Sequence, residues 1–486
     1  MSFLRKNWLL VAILFLGLFL RSYRALTLFM YAHDQDLAAW IVSDILGGHL
    51  RLIGQETSVG GVFIGGLYYY ILIPFYVLFG MSPVGGLVLS IVLSVVSIGS
   101  YYWVFKTIFN RQVGLIVAFM YSASFLIVMT DREAVPTMPV MLWAVWFLYG
   151  LWQILEGKQK QGYILMGILI GLIWHLNLGL LVLGSLIPVA FLLSRERDWK
   201  AMFTGMAVTL TVSLPLILFE VKHGFIQARA ILGSLGAEET LVVGHWAKFD
   251  RVMQLVVKNV YRLLGTDVLP IKQILVIGFV VVLLIYLVKM SVVEWRLGVI
   301  VALWIGVYIG FFTFNSINLS EYYLNGMVPA YLLIVGVGLA ELEKRGKWLM
   351  WVLVGLFVVI NTNKFMSIDI NRSGYLERRA IVVEIKRDAK MHNYPCVAVS
   401  YITKPGYELG YRYLFRIEGM HVNQPSSEAP VYTIVFPHSM VDRIDTSIGA
   451  LGLIYPEYGK YTADGVAESC SGENANLTDP MFGYLD

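Results

Sequence analysis

Apolar residues in this chain gather into long runs, and polar residues are confined largely to the gaps between them. Segments 274–287 and 349–360 hold no charged residue over their whole length. Such runs suit lipid, because a helix of about 20 apolar residues crosses the hydrocarbon core with its backbone polar groups bonded internally. The pattern predicts eleven membrane helices, over residues 8–28, 83–105, 113–129, 137–155, 162–176, 178–193, 201–219, 271–290, 297–314, 322–340 and 347–363. A further apolar stretch, 61–80, is rich in glycine and tyrosine and is read as lying at the interface.

Charge sets the sidedness. With 61–80 at the interface, Arg5/Lys6, Lys106/Arg111, Lys158/Lys160, Arg195/Arg197/Lys200, Lys289/Arg296 and Lys344/Arg345/Lys347 all fall on one side, as the positive-inside rule requires. Counting 61–80 as a span would put every later basic connection opposite the basic N-terminus. The expected protein is therefore a multi-pass cell-membrane protein with its N-terminus in the cytoplasm. Residues 1–363 form a transmembrane domain with large external loops at 29–82 and 220–270 and short external turns at 130–136 and 315–321. Residues 364–486 form an external soluble domain, whose helical pattern at 375–391 and strand patterns at 396–402 and 431–436 predict a small α/β fold. Residues 1–20 imitate a secretory leader, but no small-residue cleavage pattern follows and apolar sequence resumes after Arg24, so one uncleaved helix is expected.

Composition sharpens this picture. The chain is 58% hydrophobic and 14% charged, where soluble domains carry about a quarter charged residues. A net charge of +4 provides no global basic field, which argues against a nucleic-acid partner. Cys396 and Cys470 both fall in the C-terminal part without metal-ligand spacing, and a disulfide there requires an oxidising compartment. Gly167 and Gly171 form a GxxxG pair, read as a close helix contact.

The chemistry-bearing residues cluster at predicted span ends. They are His33-Asp34-Gln35-Asp36, Asp131-Arg132-Glu133, His175 with Asn177, Glu220 with Lys222 and His223, and Glu321-Tyr322-Tyr323. A carboxylate at mid-bilayer costs about 2.5–3.5 kcal/mol on insertion scales, so span ends are natural places for such groups. Taken singly, each reads as an interfacial charge, His175 as a hydrogen-bonded structural histidine and Lys222 as a snorkelling lysine. Together they describe a site at the membrane surface for a substrate that is part lipid and part water-soluble. Tyr68, Tyr69, Tyr70, Phe75 and Tyr76 read as an interfacial aromatic belt, or as the floor of a groove for an acyl or prenyl chain.

These residues resemble the GT-C membrane glycosyltransferases, in the branch of protein mannosyltransferases and the aminoarabinose transferase. The resemblance rests on His33-Asp34-Gln35-Asp36, on Gly65-Gly66-Leu67-Tyr68-Tyr69-Tyr70 leading to Leu78-Phe79-Gly80, and on the acidic turn Asp131 to Glu133. It extends over about the first 230 residues and weakly to Glu321-Tyr322-Tyr323-Leu324 with Pro329. Two features depart from the family pattern: Asp34-Gln35 stands where an Asp-Glu pair is usual, and glycines replace the His-Pro-Pro that commonly precedes the Leu-Tyr-Tyr run.

The resemblance implies a GT-C-like fold and transfer of a sugar from a polyprenyl-phosphate carrier to a hydroxyl of a lipid, glycan or protein acceptor. Transfer would occur at the outer face among membrane lipids, with inversion and without a cofactor. A phosphate leaves without needing a proton, so one carboxylate acting as general base suffices, whereas a glycosidase needs two carboxyl groups. On this reading Asp34 is the base with Asp36 as substitute, and Asp131 orients the acceptor or holds Arg132. Arg132, Lys222 and His223, with Arg24 more distant, would meet the donor phosphate, and His33, Glu133, His175, Glu220 and Tyr322 would touch the acceptor or support the residues that do. A metal bridging Asp34 and Asp131 would have oxygen ligands, but this branch implies none and none is expected. A transporter or flippase of lipid-linked sugars is the rival reading, disfavoured by charges gathered at one face and by the absence of a visible inverted repeat. A glycan ligase or polymerase using the same carriers stays open.

Overall fold

Among the described residues, the apolar runs of the first 366 positions fold mainly as helices. The computed structural model describes residues 2–57, 59–236, 245–266, 273–314, 321–370, 372–472 and 474–478. Helix α1 (Ser2–Ser22) ends earlier than expected, and Arg24 takes a left-handed φ of 52° in the turn that follows. The first loop then forms α2 (His33–Leu46), a two-stranded hairpin β1 (Ile53–Glu56) with β2 (Phe63–Gly65), and α3 (Leu67–Leu78). Next come α4 (Val84–Ile108), α5 (Arg111–Ala123), α6 (Phe125–Thr130), α7 (Val140–Leu155) and α8 (Gln159–Leu172). The chain continues through tight turns at Ile173–His175 and Leu178–Ser185 into α9 (Leu186–Leu193).

Helices α10 (Trp199–Val212) and α11 (Leu214–Lys222) meet at a bend of 59°, where Pro215 occupies the first turn of α11 and supplies no backbone N–H. After them come α12 (Ile226–Gly236), α13 (His245–Leu263), α14 (Gln273–Lys289), α15 (Trp295–Phe314), a tight turn at Glu321–Met327, α16 (Val328–Arg345) and α17 (Lys347–Met366). Every expected span thus coincides with a helix, a helix extended by a tight turn, or a broken pair. Among the described residues four helices are long and apolar enough to cross a membrane, or five if the bent pair α10–α11 is one span, and further apolar helices are shorter.

Two expectations change. The stretch 220–270 is more than a connection, because it carries α12 and the amphipathic α13; the expected turn at 315–321 falls, except for Glu321, outside the described residues. Segment 61–80 forms the 12-residue α3, which is too short to span, and its Tyr68, Tyr69 and Tyr76 rings are buried in protein instead of lining an interfacial belt.

Small residues set a close contact between two helices of the bundle. Helix α8 packs on α10, and a Cβ added at Gly167 would lie 2.4 Å from the Gly205 carbonyl oxygen. At Gly171 it would lie 2.6 Å from Val212 Cβ. Hydrogen at these positions lets the two backbones approach. Connections that the charge pattern assigns to one side also meet one another: Arg195 reaches Glu156 at 3.5 Å and Glu294 at 3.6 Å, and Gln112 bonds Glu343.

The C-terminal part folds as α18 (Tyr375–Met391), β3 (Val397–Thr403), α19 (Arg412–Ile417), β4 (Val422–Asn423), β5 (Val431–Phe436), β6 (Thr446–Ile448), β7 (Leu451–Ile454), α20 (Ala463–Ser469) and α21 (Ala475–Thr478). Its sheet order is β4-β3-β5-β7-β6, with β3 parallel to β4 and β5, and β7 antiparallel to β5 and β6. A disulfide joins Cys396, just before β3, to Cys470, just after α20. This part rests directly on the first loop. The Tyr375 amide donates to the Phe29 carbonyl at 3.1 Å, the Tyr413 hydroxyl donates to the Met81 carbonyl at 2.8 Å, and Phe29, Tyr31, Tyr375 and Leu414 share one apolar core.

Candidate active site

The first loop positions two carboxylates for different uses. Gln35 Oε1 accepts the Ala32 amide at 2.9 Å and starts α2, so Asp34 and Asp36 both stand in its first turn, where free N–H groups favour negative charge. Two residues apart on a helix, they point to nearly opposite sides. Asp36 turns into the protein: Tyr31 Oη donates to it at 2.9 Å, and the Tyr413 amide of α19 donates at 3.1 Å. Burial raises its pKa to about 6, against these two hydrogen bonds and the more distant Arg412 and Arg378.

Asp34 remains half-exposed. Its Oδ1 lies 3.5 Å from Gln55 Nε2 on β1. Burial pushes its carboxyl up from the usual range, while His33 and then the Gln55 contact pull it down. Tyr69 of α3 holds Gln55 in turn, accepting its backbone N–H at 3.2 Å and donating to Oε1 at 3.3 Å.

A cleft of about 520 Å³ lies beside Glu133, the residue that couples electrostatically to Asp34. One wall is a single face of α13, where Leu255, Lys258, Asn259 and Arg262 recur at i, i+3, i+4 and i+7. Tyr322 and Asn325, Thr130 and Glu133, and Lys364 at the end of α17 also line it. Glu321 holds the two cations of this face, with Lys258 Nζ at 2.7 Å and Arg262 also bonded. Glu133 projects into the cleft, where desolvation and then the charges of Asp34 and Asp131 push its pKa up to about 7. Cations and carboxylates thus share a space large enough for a sugar phosphate.

The remaining sequence candidates serve other groups. Asp131 is buried against Arg21, with Nη2 at 2.6 Å and Nε at 2.9 Å, and accepts Tyr121 Oη at 3.1 Å. Arg132 folds back on the end of α1 and donates to the carbonyls of Leu20, Arg21 and Tyr23, filling acceptors that a helix end leaves open. His175 Nδ1 accepts the Leu67 amide at the start of α3, at 3.4 Å. Gly65 makes room for that ring, since a Cβ there would lie 2.0 Å from His175 Nδ1. Asn177 caps its own turn through the Gly179 amide at 2.9 Å. Glu220 accepts the Gln227 and Ala228 amides at the start of α12, at 3.3 and 3.0 Å. His223 stacks on Phe219 at 4.1 Å, and Lys222 is exposed. Neither Lys222, His223 nor Arg132 lines the cleft, whereas Tyr322 does.

The sequence pattern does not single out Gln55, Lys258, Arg262 or Lys364, and it marks Tyr69 only as a belt or groove residue. The signal for two of them was legible, since Lys258 and Arg262 are four apart and share a helix face once 245–263 is read as a helix.

A family model described as dolichyl-phosphate-mannose-protein mannosyltransferase matches residues 66–221. Among solved structures, ArnT from Cupriavidus metallidurans bound to undecaprenyl phosphate matches with a TM-score of 0.58 over 93% of this chain and 98% of its own, at 10% identity. The chain has the GT-C-like fold of these membrane proteins. This GT-C fold also appears in the oligosaccharyltransferase AglB from Archaeoglobus fulgidus, in complex with an inhibitory peptide and a dolichol-phosphate. There the TM-score is 0.52, with 11% identity, over 89% of this chain and 70% of that one. No curated protein matches in sequence. At such identities the likeness is one of fold, so the chemistry of this GT-C protein has to be argued from its own residues. The family-model match holds Glu133 but neither Asp34 nor the cations of α13.

Proposed function

We propose that this protein is a glycosyltransferase that moves a sugar from a polyprenyl-phosphate carrier to an acceptor hydroxyl with inversion, using Asp34 as general base. The observation that carries the reading is the pairing of a half-exposed carboxylate, Asp34, with a neighbouring cleft that holds Lys258, Arg262 and Lys364. In the reaction, the acceptor oxygen attacks the anomeric carbon as Asp34 takes its proton, and the bond from that carbon to the carrier phosphate breaks. A single displacement inverts the centre. The phosphate departs carrying negative charge, which preorganised cations stabilise as it develops.

The donor-phosphate role therefore moves from Arg132, Lys222 and His223 to Lys258, Arg262 and Lys364. Asp36 and Asp131 become internal braces, and Glu133 and Tyr322 stay beside the reacting groups. A lipid-linked donor is supported by a second, apolar cavity of about 1090 Å³ between α5, α14, α16 and α17. Its wall includes Leu264, next in the chain to Gly265 of the cleft. The disulfide supports an oxidising compartment for the C-terminal domain, with the N-terminus in the cytoplasm. Acceptor class, whether lipid, glycan or protein, follows from whatever enters beside Asp34.

The test uses the full-length protein in proteoliposomes with undecaprenyl-phosphate-linked mannose, glucose and aminoarabinose, following release of undecaprenyl phosphate and labelling of acceptors. Transfer should fall by a factor of about 10² or more in Asp34→Asn, the range for loss of a general base. Near-normal transfer by a folded Asp34→Asn refutes the base. Movement of the intact donor across the bilayer without release of undecaprenyl phosphate refutes the enzyme in favour of a flippase.

A further inference from the structure

We infer that Tyr69 and Gln55 are a positioning pair for Asp34: the tyrosine hydroxyl fixes which end of the Gln55 amide faces the carboxylate. The inference rests on the reading of Asp34 as base and adds the device that presents it. A glutamine amide has one accepting and one donating end. Tyr69 Oη carries one proton, and because it accepts the Gln55 backbone N–H, it directs that proton at Oε1. The amide oxygen is thereby engaged on the tyrosine side, and Nε2 is left facing Asp34 Oδ1 at 3.5 Å. Without the hydroxyl, the amide is free to present its oxygen to a carboxylate, which repels it.

The mount is rigid. The Tyr69 ring is wholly buried, and β1 lies directly on it at Gly54, where a Cβ would fall 2.2 Å from Tyr69 Cε2. The groups acting on Asp34 are His33 on α2, Gln55 on β1, Tyr68 and Tyr69 on α3, and Glu133 in the turn after α6. Of these, His33 and the Gln55 amide favour the ionised base, while a charged Glu133 opposes it. Misdirecting the amide therefore raises the pH at which Asp34 becomes competent.

The experiment compares Tyr69→Phe, Gln55→Leu and their double variant by turnover of undecaprenyl-phosphate mannose across pH. Each single variant should lower kcat roughly tenfold, the weak end of what a hydrogen bond to a charged group is worth, with KM for the donor unchanged. The acid limb of the kcat/KM profile should move to higher pH. The double variant should be no slower than Gln55→Leu alone, because the hydroxyl acts through the amide. If Tyr69→Phe unfolds, the acid limb of Gln55→Leu decides. Wild-type kcat and acid limb in the single variants, or losses that multiply in the double, overturn the pair. Asp34→Asn separates the two readings: if it is inactive while these variants are normal, only the pair fails, and if it is active, the base assignment fails.

Discussion

Arg21 closes on Asp131 at 2.6 Å with both side chains buried, tying the last turn of α1 to the turn after α6. Within the acidic turn, Asp131 thus braces the frame while Glu133 lines the cleft. Arg21→Met leaves the Asp131 charge buried and unpaired, an imbalance that costs about 3–5 kcal/mol. Thermal unfolding in detergent should show a large loss for Arg21→Met and substantial recovery when Asp131→Leu is added. A wild-type melting temperature for the single variant contradicts the assignment.

Phosphate recognition should follow α13 and not α11. Lys258→Ala and Arg262→Ala should each weaken binding of undecaprenyl phosphate by about 10-fold or more, in keeping with a charge-assisted hydrogen bond. The exposed Lys222→Ala should leave it unchanged. Glu321 occupies the same two cations, so Glu321→Gln should tighten binding by removing a competitor. Native mass spectrometry or fluorescence titration reads all four, and equal weakening by Lys222→Ala would return the phosphate to α11.

Glu133 should leave a signature in the pH dependence of stability. Its pKa is raised from 4.5 to about 7, so between these values the folded protein binds more protons than the unfolded chain. Stability from this group is full below pH 4.5 and declines as pH rises to about 7. The melting temperature of Glu133→Gln minus that of wild type should therefore rise across this window and level off above it. Using the difference removes the contribution of Asp36, whose raised pKa acts in the same direction. A flat difference means that the carboxyl is well solvated in the cleft.

Asp36 should separate brace from base. Asp36→Asn keeps an oxygen for Tyr31 Oη and the Tyr413 amide, so turnover should stay near wild type where Asp34→Asn loses it. Asp36→Ala removes both contacts, and hydrogen exchange should accelerate at Tyr413 and along α19. Loss of turnover in Asp36→Asn with unchanged exchange would make Asp36 the base.

The helices were legible because lipid imposes a pattern that needs no partner to be recognised: apolar runs, charged ends, and glycines where α8 meets α10. Roles of the charged residues were less legible. Asp36 has one partner 377 positions away beside the nearby Tyr31, and Asp131 has one 110 positions away beside Tyr121, and the residue types alone do not distinguish a carboxylate that braces from one that reacts. Lys258 and Arg262 lie in the stretch 220–270, which reads as a connection by hydropathy although their spacing places them on one helix face. The tyrosines of α3 read from composition as a belt or a groove floor, whereas the hairpin and the C-terminal domain cover Tyr68, Tyr69 and Tyr76.

Sequence by itself determined the helical membrane architecture, the small C-terminal α/β fold and the loop that carries Asp34, because hydropathy and local propensity act over one or two turns. Tertiary structure alone decided which carboxylates line the cleft, which cations surround it, and that Tyr69 holds Gln55 toward Asp34. Those outcomes depend on burial and on the identity of the facing group, and both arise only when distant segments pack.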